Sequence, residues 1–262
     1  MDRITGVQLF IRIVETGSFS KASVDLGVTQ PTATKHVAAV EARLGARLLN
    51  RNNPCNWLQH YENLVDPFHV PILHSSFSGT QFVEQMALMP EVTWDTVASG
   101  VRTTSLRKLP DGSTLHRISE AALPTLRVIP SPRIGQYGRV ESIGWVLPMD
   151  DTHFRIYVAG RVRASGDLVR MRSRLNGKLW EELTEAEHRG FPGDYEAQVS
   201  QGAIAWHSDE HLATSDRGVI LVRKLLRRQL DALRDGQDPA GVSRDPDAQP
   251  VRFDAGNFLI KP

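Results

Sequence analysis

The chain has 262 residues, 40% of them hydrophobic and 23% charged, with 31 Lys+Arg against 30 Asp+Glu and a net charge of +1. That balance excludes a chain disordered throughout and a polybasic protein that coats nucleic acid, while leaving room for a small basic module. The lone cysteine, Cys55, excludes an internal disulfide framework, a four-cysteine zinc site and any iron–sulfur cluster that needs two thiolates from this chain.

In chain order, the opening MDRITGVQLF mixes acid and base among apolar residues and reads as neither a signal nor a transit peptide. No apolar run approaches the ~18–20 residues of a membrane span, so the expected location is the cytoplasm. Residues 1–51 carry a net charge of +3 and the remainder −2, and the texture changes at Asn52-Asn53-Pro54, where a domain boundary is placed at 51–54. Ile4, Val7, Phe10, Ile11 and Val14 fall at helical spacing and predict a helix over 3–15. Gly17 ends it, and Ser18 caps a second helix from Phe19 to Leu26 that buries Phe19, Ala22 and Leu26. Gly27-Val28 makes a tight turn, and Thr29 caps a third helix whose inward stripe is Val37, Val40 and Leu44. A short helix, a glycine-containing turn and a polar-fronted helix form a helix-turn-helix. In that arrangement Thr29, Gln30, Thr32 and Thr34 front the base edges, and Lys35, Arg43, Arg47 and Arg51 lie near phosphates of double-stranded DNA.

The blocks GSFSKA, LGVTQP and LGARLLNR, in this order and spacing, resemble the winged helix-turn-helix of LysR-type transcriptional regulators over residues 1–51. The wing of that family continues past the Asn-Arg pair and a long linker helix follows. Here neither is visible, so the wing is truncated.

Beyond the boundary, residues 55–82 read CNWLQHYENLVDPFHVPILHSSFSGTQF, with Asp66 three positions before His69 and His74 five positions after it. Two imidazoles and a carboxylate on one face leave the opposite face of a non-haem iron(II) open to dioxygen and substrate. On a straight helix, residues five apart diverge by about 140°, so a shared metal requires a distortion, and Pro71 supplies the place for one. Asp66 is spaced to reach the free ring nitrogen of His69, a common way to fix the tautomer of a ligating histidine, and Asn63 lies on the same side. Glu62 and Glu196 remain alternative third ligands, His207 and His211 form an i, i+4 pair that reads as solvent-facing or packed, and Cys55 reads as a buried apolar residue.

The same stretch resembles the catalytic domain of Rieske non-haem iron ring-hydroxylating oxygenases, of the phthalate dioxygenase and vanillate demethylase type. WVLPMDDTH (145–153), FPGDYEAQVSQG (191–202) and HSDEHLATSDR (207–217) agree with it in order. The resemblance implies that His69, His74 and Asp194 hold one mononuclear Fe(II), that Asp66 is the bridging carboxylate for electron entry, and that Asn63 neighbours the metal. Dioxygen would be the co-substrate and an aromatic acid the substrate. Such oxygenases normally begin with a Rieske domain. This chain lacks the cysteines for a 2Fe–2S cluster, so electrons would come from a Rieske or reductase partner, across a subunit interface if the chain forms an oligomer.

Strands are predicted at Val101–Leu109, Thr114–Ile118, Thr125–Ile129, Val140–Leu147 and His153–Val162, then a helix at Ser215–Arg234 with Val219, Val222, Leu226 and Leu230 towards the sheet. The fold class is α+β: a small all-α helix-turn-helix, then a helix-grip (START-like) antiparallel sheet with a long C-terminal helix. The domains are 1–51 for DNA, 52–240 for the oxygenase and 241–262 as a mobile tail. Three functional readings follow. The chain is an oxygenase catalytic domain fused to a DNA-binding segment, a regulator whose oxygenase-derived pocket senses an aromatic ligand, or an inactive fusion or truncation product.

Overall fold

The computed structural model describes residues 8–9, 12–13, 19–44, 46–134, 137–138, 140, 142–161, 175–178, 182–245, 247–249 and 251–262, with backbone alone for Phe19, 41–44, 46–51 and 161. The chain divides into two compact units, one comprising Met1–Leu48 with Ala159–Leu168 and the other the rest.

In the first unit, α1 spans Phe19–Asp25 and α2 spans Gln30–Leu44. Gly27, at φ +64°, makes the turn between them, a conformation that glycine adopts without a steric penalty. The Thr29 hydroxyl accepts weakly from the Thr32 amide at 3.4 Å, as an N-cap does. Ala22, Ala33 and Val37 are buried, as are Leu9 and Ile13 upstream. Leu26, expected inside, is 37% exposed, because α1 ends at Asp25 and leaves it in the turn. Of the expected stripe of the first helix, Ile4, Val7, Phe10, Ile11 and Val14 lie outside the described residues, as do Gly17 and Ser18.

The second unit is a mixed helix and antiparallel sheet structure. The strands of the chain, of which β1 and β7 carry residues of both units, are β1 (Ala46–Asn53), β2 (Glu91–Val97), β3 (Gly100–Lys108), β4 (Thr114–Ala122), β5 (Leu126–Val128), β6 (Ser142–Asp150), β7 (His153–Arg161) and β8 (Gly256–Ile260). They order as β1-β7-β6-β5-β4-β3-β2, with β8 paired to β4. Helices α3 (Trp57–Asn63), α4 (the single turn His69–Pro71), α5 (Glu185–Gly190), α6 (Asp194–Ser200) and α7 (Arg217–Arg234) complete it. Helix α7 packs on β2 and β3 and buries Val222 and Leu225 against Tyr61, Val101 and Phe154. Each such fully buried large side chain contributes about 1.5–3 kcal/mol of transfer free energy. Gly218 marks the closest approach: a Cβ there would lie 2.4 Å from Trp94 Nε1 and 2.5 Å from the Val65 carbonyl oxygen.

Three expectations change. Leu230, assigned to the inner face of α7, is 55% exposed, and Leu233 one turn on is 51% exposed, so the apolar stripe of the helix is covered only in its earlier turns. β2 was not anticipated, since its alternation of Thr, Trp and Asp carries little apolar contrast. The tail is not wholly mobile: Asn257 pairs with Arg117 and Phe258 with His116, so Gly256–Ile260 is a strand of the sheet. Its apolar run, Phe258-Leu259-Ile260, is short and follows a stretch rich in Asp, Pro and Gly that dominates the composition.

Candidate metal centre

The segment 56–82 reaches the site through a sequence of caps and irregular turns. Asn56 caps α3 by accepting from the Leu58 amide at 2.9 Å, and α3 presents Asn63 at its end. Asp66 Oδ1 then accepts the amides of Phe68 (2.9 Å) and His69 (3.3 Å), which starts the next helical turn at His69. One oxygen of the Asp66 carboxylate, Oδ1, is therefore committed to the backbone. The His69 Nδ1 instead meets the Asp66 carbonyl oxygen, and the nearer approach of the carboxylate, Oδ2, is 3.7 Å away. The carboxylate thus flanks the ring at 3.7 Å, and the carbonyl oxygen of the same residue makes the closer contact.

Pro71 does not break the helix. After the α turn His69–Pro71 the backbone widens into a π-helix over Ile72–Phe77, closed by the Ser78 amide on the Leu73 carbonyl at 3.1 Å. The proline has no N–H to give, and the wider i→i+5 turn carries the residue five positions on back to the same side, a distortion that is frequent at functional sites. His69 and His74 accordingly converge, with ring centroids 5.4 Å apart at an interplanar angle of 70°.

Asp194, the first residue of α6, comes to the same place through tethers on its flanks. The Ser78 hydroxyl and the Gln81 amide both donate to the Pro192 carbonyl at 2.7 Å. The Gln59 amide donates to the carbonyls of Gln198 (2.9 Å) and Gly202 (3.2 Å), holding α6 to α3. Asp194 Oδ1 lies 2.9 Å from His74 Nε2, 3.5 Å from His69 Nε2 and 3.2 Å from the Asn63 amide nitrogen.

The hydrogen bonds fix the tautomers. The Gln81 NH₂ must face the Pro192 carbonyl, so its Oε1 faces His74 Nδ1 at 2.9 Å, and that ring nitrogen must be the donor. By the same logic His69 Nδ1 donates to the Asp66 carbonyl. Both rings, in their neutral form, then offer a bare Nε2 to one carboxylate oxygen. Lone pair facing lone pair is repulsive, so the cluster requires positive charge between the three groups, either protons or a cation. Burial alone would raise the Asp194 carboxyl, but the His74 hydrogen bond, the charges of His69 and His74 and the Asn63 amide outweigh it and hold the group well below the usual carboxylate range. His74 is 1% exposed, whereas the Asp194 side chain, at 44%, borders the opening. Two imidazole nitrogens and one carboxylate oxygen, with donor atoms within 4.8 Å of one another, form a set able to hold a divalent transition metal.

The other candidates are engaged elsewhere. Glu62 accepts from Arg223 Nε at 2.5 Å and Nη2 at 2.8 Å. Glu196 pairs with His188 at 2.9 Å and accepts the Gly193 amide at 2.8 Å. A second group, Glu62, His207 and Glu210, also converges, but the Arg223 guanidinium already donates to both of its carboxylates. His207 lies in a single turn, His207–Asp209, after which the chain extends, so it forms no helical pair with His211. Cys55 is fully buried in the apolar core, and that burial raises its thiol pKa. The residue missed by sequence reasoning is Gln81, which orients His74 and at the same time anchors the segment leading to Asp194. Its only signal was its place in the GTQF end of the histidine-bearing stretch.

On the first unit, Thr29, Gln30, Thr34 and Lys35 are exposed and Thr32 is half-buried. Thr32 pairs with Thr29 at 2.8 Å, Thr34 donates to the Gln30 carbonyl at 3.0 Å, and the Ser20 hydroxyl donates to Gln30 Oε1 at 3.4 Å. The side chains of Arg43, Arg47 and Arg51 lie outside the described residues. Among the described residues no helix is long and apolar enough to cross a membrane.

Residues 4–56 match the family of bacterial regulatory helix-turn-helix proteins, lysR family. Over 211 residues the chain is 43% identical to phenoxybenzoate dioxygenase subunit alpha of Ectopseudomonas oleovorans, covering 79% of this chain and 50% of that protein. Over 244 residues it is 33% identical to the tert-butanol monooxygenase / tert-amyl alcohol desaturase oxygenase subunit of Aquincola tertiaricarbonis, covering 81% of this chain and 48% of that one. The caffeine-bound QL mutant of NdmA from Pseudomonas putida CBB5 aligns at 19% identity and a TM-score of 0.44, over 77% of this chain and 58% of that one. The chain spans about half the length of the curated relatives it matches. It joins a helix-turn-helix segment of the lysR family to a region similar to the catalytic part of Rieske-family oxygenase subunits.

Proposed function

We propose that residues 52–240 form a mononuclear non-haem Fe(II) oxygenase centre acting on an aromatic acid, with His69, His74 and Asp194 as its ligands. The observation that carries the proposal is the convergence of two bare Nε2 atoms, each locked by an Nδ1–H donated to a carbonyl oxygen, on one carboxylate. When bound, Fe(II) supplies dioxygen activation for hydroxylation or demethylation, drawing two electrons per turnover from outside the chain. The residues around it have separate tasks. Gln81 and the Asp66 carbonyl hold the imidazole tautomers. Asn63 restrains the Asp194 carboxylate. Asp66, partly exposed beside His69, is the route for electrons arriving from a Rieske or reductase partner. Phe82 packs against His74 at a tilt of 47°, with centroids 4.4 Å apart, and keeps water from that side of the ring.

The test is to load the chain with Fe(II) and supply a Rieske protein, its reductase, NADH and a panel of aromatic acids. Hydroxylated or demethylated product from wild type, and none from His69→Ala, is the expected result. Fully iron-loaded wild type that neither takes up oxygen nor alters any acid in the panel would sink the reading.

A second reading, a DNA-binding regulator in which this cavity senses an aromatic ligand, is favoured by the lysR-family match over residues 4–56. On that reading the chain shifts an operator-like duplex. Lys35→Ala then weakens binding uniformly across sequences and lowers the salt slope by about one. Mobility shifts indifferent to both Lys35 and salt would count against it.

A further inference from the structure

The cavity at the metal centre has a helical wall that includes Asn63, Asp66, His69, His74 and Asp194, and a sheet wall formed by β3, β4 and β5. Behind the helical wall lies a contact that the metal centre itself does not require. In an unbroken helix the His69 amide would reach back four positions to the Val65 carbonyl. Here it donates instead to Asp66 Oδ1 at 3.3 Å. Val65 is 1% exposed, so its carbonyl needs another donor. The indole Nε1 of Trp94, in the middle of β2, donates to it at 2.8 Å.

The same peptide unit is held at its other end, where the Asp66 amide donates to the Asn63 carbonyl at 3.2 Å. With its C=O and its N–H both engaged, the plane of the Val65–Asp66 peptide is fixed. That plane leads into the residue whose carbonyl accepts from His69 Nδ1 and whose carboxylate caps the turn. Trp94 also packs against Phe68, with ring centroids 6.2 Å apart and planes tilted by 55°. Helix α7 leaves room for this arrangement at one residue. Gly218 is buried, and a Cβ there would lie 2.4 Å from Trp94 Nε1 and 2.5 Å from the Val65 oxygen, the two atoms of the hydrogen bond itself. Glycine is a poor helix former, and the bond it accommodates accounts for its place in the first turn of α7.

We propose that Trp94 is a positioning residue for the metal centre: its indole N–H holds the Val65 carbonyl, keeps the His69 amide on Asp66, and so sets the carbonyl that orients the His69 ring and the carboxylate beside it. Gly218 leaves the space this bond needs. The consequence for iron rests on the oxygenase reading, while the backbone contact does not. Without the indole N–H the buried Val65 carbonyl is left unpaired, which is costly. The donor a regular helix would supply is the His69 amide. Drawn back to Val65, that amide would leave Oδ1 and carry the Asp66 carbonyl away from His69 Nδ1. The ring would lose the partner that fixes its tautomer and aim, and Asp66 would lose its orientation beside it.

The experiment uses the full chain and attacks the bond from both sides. Trp94→Phe keeps a ring against Phe68 and removes the N–H, and Gly218→Ala drives a methyl group between the two atoms. Fe(II) affinity is read by equilibrium dialysis, and the nitrogen resonances of the histidine rings by NMR of the metal-free chain at one pH. Each variant should bind Fe(II) about three- to tenfold more weakly than wild type. The double variant should lose no more than the weaker-binding single one, because both remove the same bond. The His69 Nδ1 resonance should move in each, while those of the exposed His153 and His207 stay in place. Unchanged Fe(II) affinity in Trp94→Phe, an unmoved His69 resonance, or losses that multiply in the double variant would each overturn the proposal. So would a shift shared equally by His153 and His207, the mark of a general loosening. If Gly218→Ala does not fold, Trp94→Phe decides through both readouts. The two readings fail separately. A wild type that binds no Fe(II) defeats the oxygenase reading, and the His69 resonance then judges Trp94. A wild type that binds Fe(II) no better than Trp94→Phe defeats the positioning role alone.

Discussion

The two walls of the cavity are built on opposite principles. The helical wall concentrates its chemistry: Asn63, Asp66, His69 and His74 lie within twelve consecutive residues, and only Asp194 is brought from afar. The sheet wall disperses it. Thr103, Ser105, Arg107, Arg117, Ser119 and Arg127 come from three strands and meet only because antiparallel register sets Ser105 against Arg117 and Ala121 against Arg127. Local chemistry leaves a spacing that can be recognised in a sequence. Chemistry assembled by register leaves only an alternation, and an alternation of Thr, Ser and Arg looks like the solvent face of a strand until the pairing is known.

The comparison can be broken on the helical wall. The largest expected effect lies at the residue that links its two parts. Gln81→Leu removes the acceptor for His74 Nδ1 and the donor to Pro192, and should weaken Fe(II) binding about ten- to a hundredfold. Dialysis against buffered Fe(II) would measure this, and an unchanged affinity would mean that the tautomer lock does not matter. A smaller loss, about two- to tenfold, is expected for Asn63→Ala, which removes one 3.2 Å hydrogen bond to Asp194.

What the sequence made legible follows the same division. The α1–turn–α2 arrangement was readable because Gly27, Thr29 and the apolar spacing act over a few residues, and the central strands because Pro110-Asp111-Gly112 and similar turns punctuate them. A distortion near Pro71 was readable, but its form was not. Whether a proline breaks a helix or widens it depends on what holds the residues after it, here the Ser78 and Gln81 contacts to Pro192. The spacing of Asp66 and His69 was legible, but how the acid divides itself was not: Oδ1 accepts the amides of Phe68 and His69, while Oδ2 stays 3.7 Å from the ring. Strand β8 was missed because its partner, β4, lies about 140 residues earlier, a pairing that no local pattern encodes.

The central claim is that His69, His74 and Asp194 share one divalent cation. It is tested most directly by the Fe(II) stoichiometry of the anaerobically loaded chain beside that of Asp194→Asn, which keeps the shape and removes the charge. One Fe(II) per wild-type chain, with little or none retained by the variant after dialysis, is the predicted result. Equal iron in both, or none in the wild type, would contradict it, and the two imidazoles would then be held together by protons alone.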